Sequence, residues 1–323
     1  MHPAASTAVV GVADNAGSHP VPTLTEVLTA DPDQFATKYT DIATLNLVCA
    51  LGLPKAGCID FPKYLALLDA MAAAVRSQTE RSWRLFKIKP AEFHHSENVF
   101  RVFTMEHVLR VQFGVKYDPL RSHLKPGMVN RPPPDSANIF IHGVLSEKRT
   151  GTCSSLPTFA IAVGRRLGYP LKLVRVPNHT LYRWDDESEK FNYQHTGAGG
   201  EIRTDDSYYE WPEKWDADMY ALNERTKVWL HSMTLRQEVS KFLCNRAIML
   251  RETGRYDEGF QTLDAAERFD PVNPACADIR FNILERTGQS ALLPPVAASM
   301  QAFSAGSMHE PVEAWYASTA GRS

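Results

Sequence analysis

The sequence has no pair of cysteines with C-x-x-C spacing, and its five cysteines are widely separated along 323 residues. They are Cys49, Cys58, Cys153, Cys244 and Cys276. An odd number of scattered cysteines argues against a disulfide framework and against a structural zinc site. It favours a reducing compartment, where thiols stay free.

The chain also lacks a long apolar run and an excess of charge of one sign. Nowhere do the roughly 18 consecutive apolar residues of a membrane-spanning helix occur, and residues 1–20 lack the basic start and apolar stretch of a signal peptide. The net charge is −2, which favours neither nucleic acid nor a membrane surface as a partner. We therefore expect a cytoplasmic protein that binds neither.

Composition and periodicity divide the chain into five segments. Small and polar residues predict a disordered leader over residues 1–22. Residues 23–116 are expected to form an N-terminal helical subdomain, residues 117–211 a mixed core, and residues 212–289 a second helical segment. Residues 290–323 are expected to form a loose tail.

Three helices are expected in the N-terminal subdomain, each with an apolar stripe at helical spacing. The first spans Asp41–Leu51, the second is capped by Asp60, and the third starts after Ser96. Residues 117–135 contain five prolines and predict an extended surface loop. The apolar run Ile139–Leu145 that follows fits either a helix or a strand.

The stretch Gly151–Gly200 contains the residues on which a function can be argued. Thr152 is a candidate cap for a helix that ends at Gly168, which would place Cys153 at the helix start. Two strands with a hairpin turn at residues 185–189 are expected to follow. His179 opens the first of the two, and Asn192 lies on the returning strand. A further strand, residues 171–176, precedes them.

The order Cys153, His179, Asn192 is typical of a thiol nucleophile, its base and the group that orients the base. A helix start stabilises a thiolate through the helix dipole and free N–H groups. His179 would move the proton, and Asn192 would hold the ring from the adjacent strand. The alternative is that Cys153 is simply a small buried apolar residue, as single cysteines often are.

Other polar and aromatic residues in or near this stretch are assigned simpler roles. His142 is expected in the core, the pair His94–His95 at the surface, and His195 on the strand face opposite Asn192. Asp185 and Asp186 fit a turn. The aromatic pair Tyr182 and Trp184 is expected to be core, and no ligand set for a metal is complete.

The C-terminal helical segment contains a repeat. Leu250–Arg255 recurs as Leu284–Gln289, 34 residues later, a period typical of tetratricopeptide repeats. Thr234 forms a capping box with Gln237 ahead of the first helix. Gly259 and Arg246 stand where such repeats usually have Ala and Leu.

Four motifs resemble the transglutaminase-like branch of the papain-like thiol superfamily, in a bacterial group related to SirB-type regulators that also carries helical repeats. The motifs are Gly151–Pro157, Gly168–Val174, the strand His179–Trp184, and Phe191-Asn192, with Phe140–Leu145 upstream. The resemblance covers roughly residues 40 to 275.

The resemblance implies an α+β fold in which a nucleophile helix packs on an antiparallel sheet, with Cys153, His179 and Asn192 in the triad positions. It implies acyl transfer at an amide bond, with peptidase, amidase or deamidase activity favoured over crosslinking and with no metal or organic cofactor. The substrate or partner would be a protein or peptide. The alternative is a catalytically inactive module that binds proteins through its repeat helices.

Overall fold

The computed structural model describes residues 20–118, 135–177, 179–196, 199–211 and 214–289. Three predicted segments lie wholly or mostly outside this part of the chain. They are the leader, the proline-rich loop and the C-terminal tail.

The N-terminal region is helical, as predicted. Its five helices are α1 (Leu24–Thr29), α2 (Pro32–Lys38), α3 (Ile42–Ala50), α4 (Phe61–Ile88) and α5 (Glu97–Val111). The side chains of Asp41, Asp60 and Ser96 each accept a backbone N–H at the start of the helix that follows, which confirms the predicted cap at Asp60 and adds two that were not predicted.

The core segment contains both helices and strands. Its helices are α6 (Ser136–Ile139), α7 (His142–Leu145) and α8 (Leu156–Arg166). The run Ile139–Leu145, which periodicity could not assign, is therefore mostly helical. A small parallel pair, β1 (Lys116–Tyr117) with β2 (Thr150–Gly151), joins the end of the N-terminal region to the segment that precedes α8.

A four-stranded antiparallel sheet follows α8. Its strands are β3 (Leu171–Val176), β4 (His179–Asp185), β5 (Lys190–Thr196) and β6 (Gly199–Arg203), paired in chain order. The first three confirm the predicted strands. The last was not predicted, because its glycine-rich start lacks the alternation on which strand prediction depends.

The two faces of the sheet are covered by different elements. Leu173, Tyr182 and Tyr193 face the cluster of apolar side chains that includes α8. Val176 and Leu181 face a second cluster, in which the aromatic rings of residues after β6 pack. Tyr182 and Trp184 are core residues, as expected, with exposures of 0% and 4%.

The C-terminal segment is helical, with α9 (Ala217–Thr226), α10 (Leu235–Glu252), α11 (Tyr256–Phe269) and α12 (Pro274–Arg286). The capping box of Thr234 and Gln237 at the start of α10 is present. Before α10 the chain runs along the edge of the sheet, where the N–H of Met233 donates to the carbonyl of Leu173 over 2.8 Å. One apolar cluster extends from α1 to α12, so α10, α11 and α12 share a core with the N-terminal region, whereas Leu222 of α9 packs in the second cluster.

The ends of α10 and α12 have the same backbone geometry. Gly254 and Gly288 both have positive φ, 73° and 68°, which glycine adopts without strain. In each case the N–H of the next residue donates to a carbonyl five residues earlier, from Arg255 to Leu250 and from Gln289 to Leu284, both over 2.9 Å. The sequence repeat therefore corresponds to a structural repeat of the helix end.

The two departures from the tetratricopeptide pattern have local causes. Arg246 donates from Nη1 to the carbonyl oxygens of Cys49 and Leu51, which closes the C-terminal end of α3. At Gly259, a Cβ would lie 3.1 Å from Ile283 of α12. The glycine thus permits the close packing of α11 on α12.

Candidate functional site

Cys153 lies in the turn Thr152–Ser155 that leads into α8. The structure differs here from the prediction, because the helix begins at Leu156 with Ser155 as its cap, rather than with Thr152. The carbonyl of Thr152 accepts the N–H of Leu156 over 2.9 Å, which winds the turn in the helical sense. Cys153 is half-buried, whereas three of the other cysteines are buried and Cys58 is exposed.

The backbone N–H of Cys153 is already engaged. It donates to the hydroxyl oxygen of Tyr117 over 3.3 Å. The β1–β2 pair causes this contact, because Tyr117 lies opposite Gly151 in its register. In a thiol enzyme this N–H is a natural donor to the oxyanion of a tetrahedral intermediate, so the Tyr117 hydroxyl lies where such an oxygen would bind.

His179 begins β4 and is 8% exposed. Its ring meets Trp211 edge to face, with 5.0 Å between centroids. Its Nε2 is buried and has no hydrogen-bond partner among the described residues. Burial lowers the pKa of His179 to about 4, and the charges of His195 and Arg203 add to this. At neutral pH the ring is therefore uncharged and able to accept a proton.

The topology places Cys153 and His179 at the same end of the sheet. Helix α8 leads through a short turn into β3 and packs on β3 and β4, so its start lies level with the end of β3, where His179 pairs with Val176. The two differ in the face they occupy, because His179 packs with Trp211 on the side away from α8. In this state the Nε2 of His179 does not bond the thiol.

Asn192 is not beside His179, which corrects the predicted contact between them. The register pairs Asn192 with Arg183, four residues along β4 from His179. At about 3.3 Å per residue, this separation is roughly 13 Å. The amide binds elsewhere: Oδ1 accepts from Arg183 Nε over 2.7 Å, and Nδ2 donates to Asp205 over 2.7 Å.

Arg183 is the residue that sequence reasoning missed at this point. It is wholly buried, and it donates to Asn192, to the carbonyl of Leu230 over 3.0 Å and to Asp205. Its partners come from β5, from the segment after β6 and from the chain before α10. Alternation along β4 put Arg183 on a defined face, but only the tertiary structure supplies these partners.

Lys241 of α10 is a second residue that the sequence did not reveal. It is 7% exposed and forms no ion pair with a carboxylate in the part of the chain that the structure covers. Burial lowers the pKa of Lys241 to about 8, Arg175 lowers it further, and the negative charge of the Cys153 thiolate opposes both. Lys241 is therefore a candidate for a charge that acts on the thiolate of Cys153.

Contacts of α10 with α8 and α3 show how α10 lies relative to α8. Glu238, in the first turn of α10, binds both terminal nitrogens of Arg165 in the last turn of α8. Lys241 lies one turn further along α10. Residues still later in α10 reach the C-terminal end of α3 through Arg246. Helix α10 therefore extends from the end of α8 toward the level at which Cys153 lies.

The remaining histidines have the simpler roles that were expected. His142 is 5% exposed, and its Nε2 lies 3.4 Å from the hydroxyl of Ser136. His94 and His95 are exposed. His195 lies on the α8 side of the sheet and contacts Glu106. Within the described ranges no three His, Cys, Asp or Glu side chains group closely enough to hold a metal ion.

Two buried histidines should make the fold sensitive to acid. Burial lowers the pKa of His142 and of His179 to about 4 each, against about 6.5 in an unfolded chain. Unfolding therefore takes up protons between these values, and stability falls as the pH falls through that window. Between pH 7 and pH 5 we expect each histidine to remove about 2 kcal/mol from the free energy of unfolding.

Urea unfolding at the two pH values measures this loss. His142→Gln should reduce it by about 2 kcal/mol, whereas the same change at exposed His94 should leave it unaltered. An identical pH dependence in wild type and His142→Gln would contradict the assignment.

Comparison with protein families gives one match. Residues 62–214 match the family model of the transglutaminase-like superfamily, whose members typically perform cysteine-based acyl transfer or protease-like chemistry. The matched stretch contains α8, the antiparallel sheet and all three predicted site residues. No curated protein and no solved structure matches the chain. Across the described residues, no helix has the length and apolar character needed to cross a membrane.

Proposed function

We propose that this protein is a cysteine-dependent acyl-transfer enzyme that acts on an amide bond, with water rather than an amine as the usual acceptor. Cys153 is the nucleophile and His179 the acid–base group. The observation that carries the proposal is the position of Cys153. It is half-buried at the start of α8, at the sheet end where His179 lies, inside the stretch that matches the superfamily.

The chemistry follows from the groups present. His179 first takes the proton of the Cys153 thiol, and the thiolate sulfur then attacks the carbonyl carbon of the amide. As the C–N bond breaks, His179 passes that proton to the leaving amine. Water then attacks the thioester and gives a proton to His179; the C–S bond breaks, and His179 returns the proton to the sulfur, which regenerates the free thiol. The neutral state of His179 at pH 7 suits the second step, since an imidazole with a free Nε2 can accept a proton.

The proposal includes two movements. The hydroxyl of Tyr117 leaves the N–H of Cys153 when a substrate oxygen binds there. The ring of His179 leaves Trp211 and turns toward the thiol. Hydrogen bonds between catalytic groups are often absent before substrate binds, and Tyr117 is the last residue of β1 while His179 is the first of β4.

In this proposal Asn192 positions strand β4 and does not contact the imidazole of His179. Its amide holds Arg183 of β4 and Asp205 together, which fixes β4 against β5 below His179. We therefore propose Asn192 as a positioning residue, in place of a direct partner of the histidine ring.

We also propose that α10–α12 form a tetratricopeptide-like unit that contacts a protein or peptide, in a bacterial cytoplasm. The equivalent ends of α10 and α12 support it, as does the ion pair of Glu252 with Arg286, 34 residues later.

An ester substrate tests the proposed function. Every protein carries Cys58→Ser, which removes the exposed thiol. With p-nitrophenyl acetate, Cys153 should acquire an acetyl group, seen by mass spectrometry, and then lose it. His179→Ala should slow that loss at least tenfold, because it removes the general base. Cys153→Ser should acquire no acetyl group at this position. An acylation rate equal to that of a free thiol, with no effect of His179→Ala, would overturn the proposal.

A further inference from the structure

A cavity of about 690 Å³ lies between α4, α5, β5, β6 and the start of α8. Its volume falls within the roughly 300–1,000 Å³ of small-molecule sites. The cavity is lined by Leu156, the first residue of α8, and by Tyr117, which contacts Cys153. It therefore adjoins the candidate nucleophile without including it.

The inner wall of the cavity is aromatic. Phe93, Phe100, Phe103 and Tyr193 contribute to it. The rings of Phe93 and Phe100 meet edge to face at 5.1 Å, and those of Phe103 and Tyr193 at 6.4 Å. These contacts hold the rings in place, so the wall presents a fixed apolar surface to a ligand.

A polar group is built into the same wall. Glu106 accepts from the hydroxyl of Tyr182 over 2.7 Å and lies 3.2 Å from Nε2 of His195. Glu106 and His195 are 15% and 11% exposed, and both line the cavity. These two hydrogen bonds fix the carboxylate of Glu106 in the wall and take one acceptor position on each of its oxygens.

The mouth of the cavity carries positive charge. Arg110 and Lys116 line it and are exposed. Neither forms an ion pair with a carboxylate among the residues that the structure describes. Two free cations above an aromatic wall favour a ligand with an anionic end and an apolar body.

We propose that this cavity binds a small anionic ligand with an aromatic body, of the arylalkyl carboxylate class. The carboxylate lies between Arg110 and Lys116, and the ring packs on the phenylalanines. This binding goes beyond the proposed acyl transfer, because it needs neither the thiol nor His179.

Gly200 offers a way to fill the cavity. A Cβ at Gly200 would lie 2.2–2.4 Å from the ring and hydroxyl of Tyr193. In Gly200→Ala the ring of Tyr193 must therefore shift from β6, and the space open to it is the cavity that both residues line.

The test measures binding of phenylpropionate and of its neutral amide by titration calorimetry. Phenylpropionate should bind at one site, and the amide at least tenfold more weakly. The double variant Arg110→Gln/Lys116→Gln should weaken phenylpropionate binding at least tenfold and leave binding of the amide unchanged. Arg84→Gln, an exposed cation of α4 outside the cavity, serves as the control and should have no effect.

Two further variants test whether binding needs the open cavity and whether it is independent of the Cys153 thiol. Gly200→Ala should abolish binding, and its thermal unfolding shows whether it folds; the double surface variant decides the matter if it does not. Cys153→Ser should bind phenylpropionate as the wild type does, so failure of the acyl-transfer proposal leaves this one intact. No binding of phenylpropionate, equal binding of acid and amide, or an unchanged affinity in the double variant would overturn the inference.

Discussion

Replacing Arg183 with methionine is expected to lower the free energy of unfolding by about 3 kcal/mol. The methionine fills the space of the aliphatic part of the side chain but donates no hydrogen bond. The carbonyl of Leu230 and the Oδ1 of Asn192 lose their donors inside the core. Asp205, which is 38% exposed, can recover water and adds little.

Urea denaturation at pH 7 measures this change. Arg84→Met is the matched control, since Arg84 is exposed on α4 and its loss should cost less than about 0.5 kcal/mol. A double-mutant cycle with Asn192→Ala should show coupling of about 1 kcal/mol, because Arg183 and Asn192 share a buried hydrogen bond. A cost at Arg183 equal to that at Arg84 would show that the buried network does not hold the strands together.

Much of the fold could be predicted from local signals. The caps at Asp60 and Thr234 act within one helical turn, and the alternation along β3–β5 reflects the two faces of a sheet. Both signals are contained in a few neighbouring residues. Strand β6 begins with glycines and has no such signal, so it was missed.

The site was harder to predict because it depends on register and on distant packing. The order of Cys153, His179 and Asn192 selected two residues, Cys153 and His179, that the structure places at one end of the sheet. It did not show that Asn192 pairs with Arg183, since a hairpin turn of uncertain length leaves the register open. Nothing near Lys241 in the sequence points to Cys153; the two are linked only through the tertiary structure, in which the start of α10 is tied to the end of α8 by Glu238 and Arg165.

Lys241→Met is expected to raise the free energy of unfolding by about 3 kcal/mol at pH 7. Burial lowers the pKa of Lys241 from 10.5 to about 8. The positive charge of Lys241 is therefore less favourable in the folded protein than in the unfolded chain, and it lowers the stability at pH 7. Methionine has similar length and no charge, so it removes this cost. Because unfolding takes up a proton between about pH 8 and 10.5, stability in the wild type should rise across that window, and the variant should lose the rise.

The same substitution should slow the reaction of Cys153 with iodoacetamide at pH 7 by about fivefold. A cation in a poorly solvated position attracts a thiolate by about 1 kcal/mol when the two are several ångströms apart. A gain in stability joined to a loss of reactivity would mark Lys241 as a residue kept for the chemistry of the site.

Lys241→Arg keeps the charge and separates the two effects. In a Cys58→Ser background it should preserve most of the labelling rate, whereas Lys241→Met should not. The difference in labelling rate between wild type and Lys241→Met should also shrink above about pH 8, where Lys241 itself becomes neutral. If Lys241 acts only through packing, both variants should lose the same fraction of the labelling rate, and that loss should not change with pH. Equal losses would therefore place the origin of any thiol reactivity in the turn before α8 and remove α10 from the site.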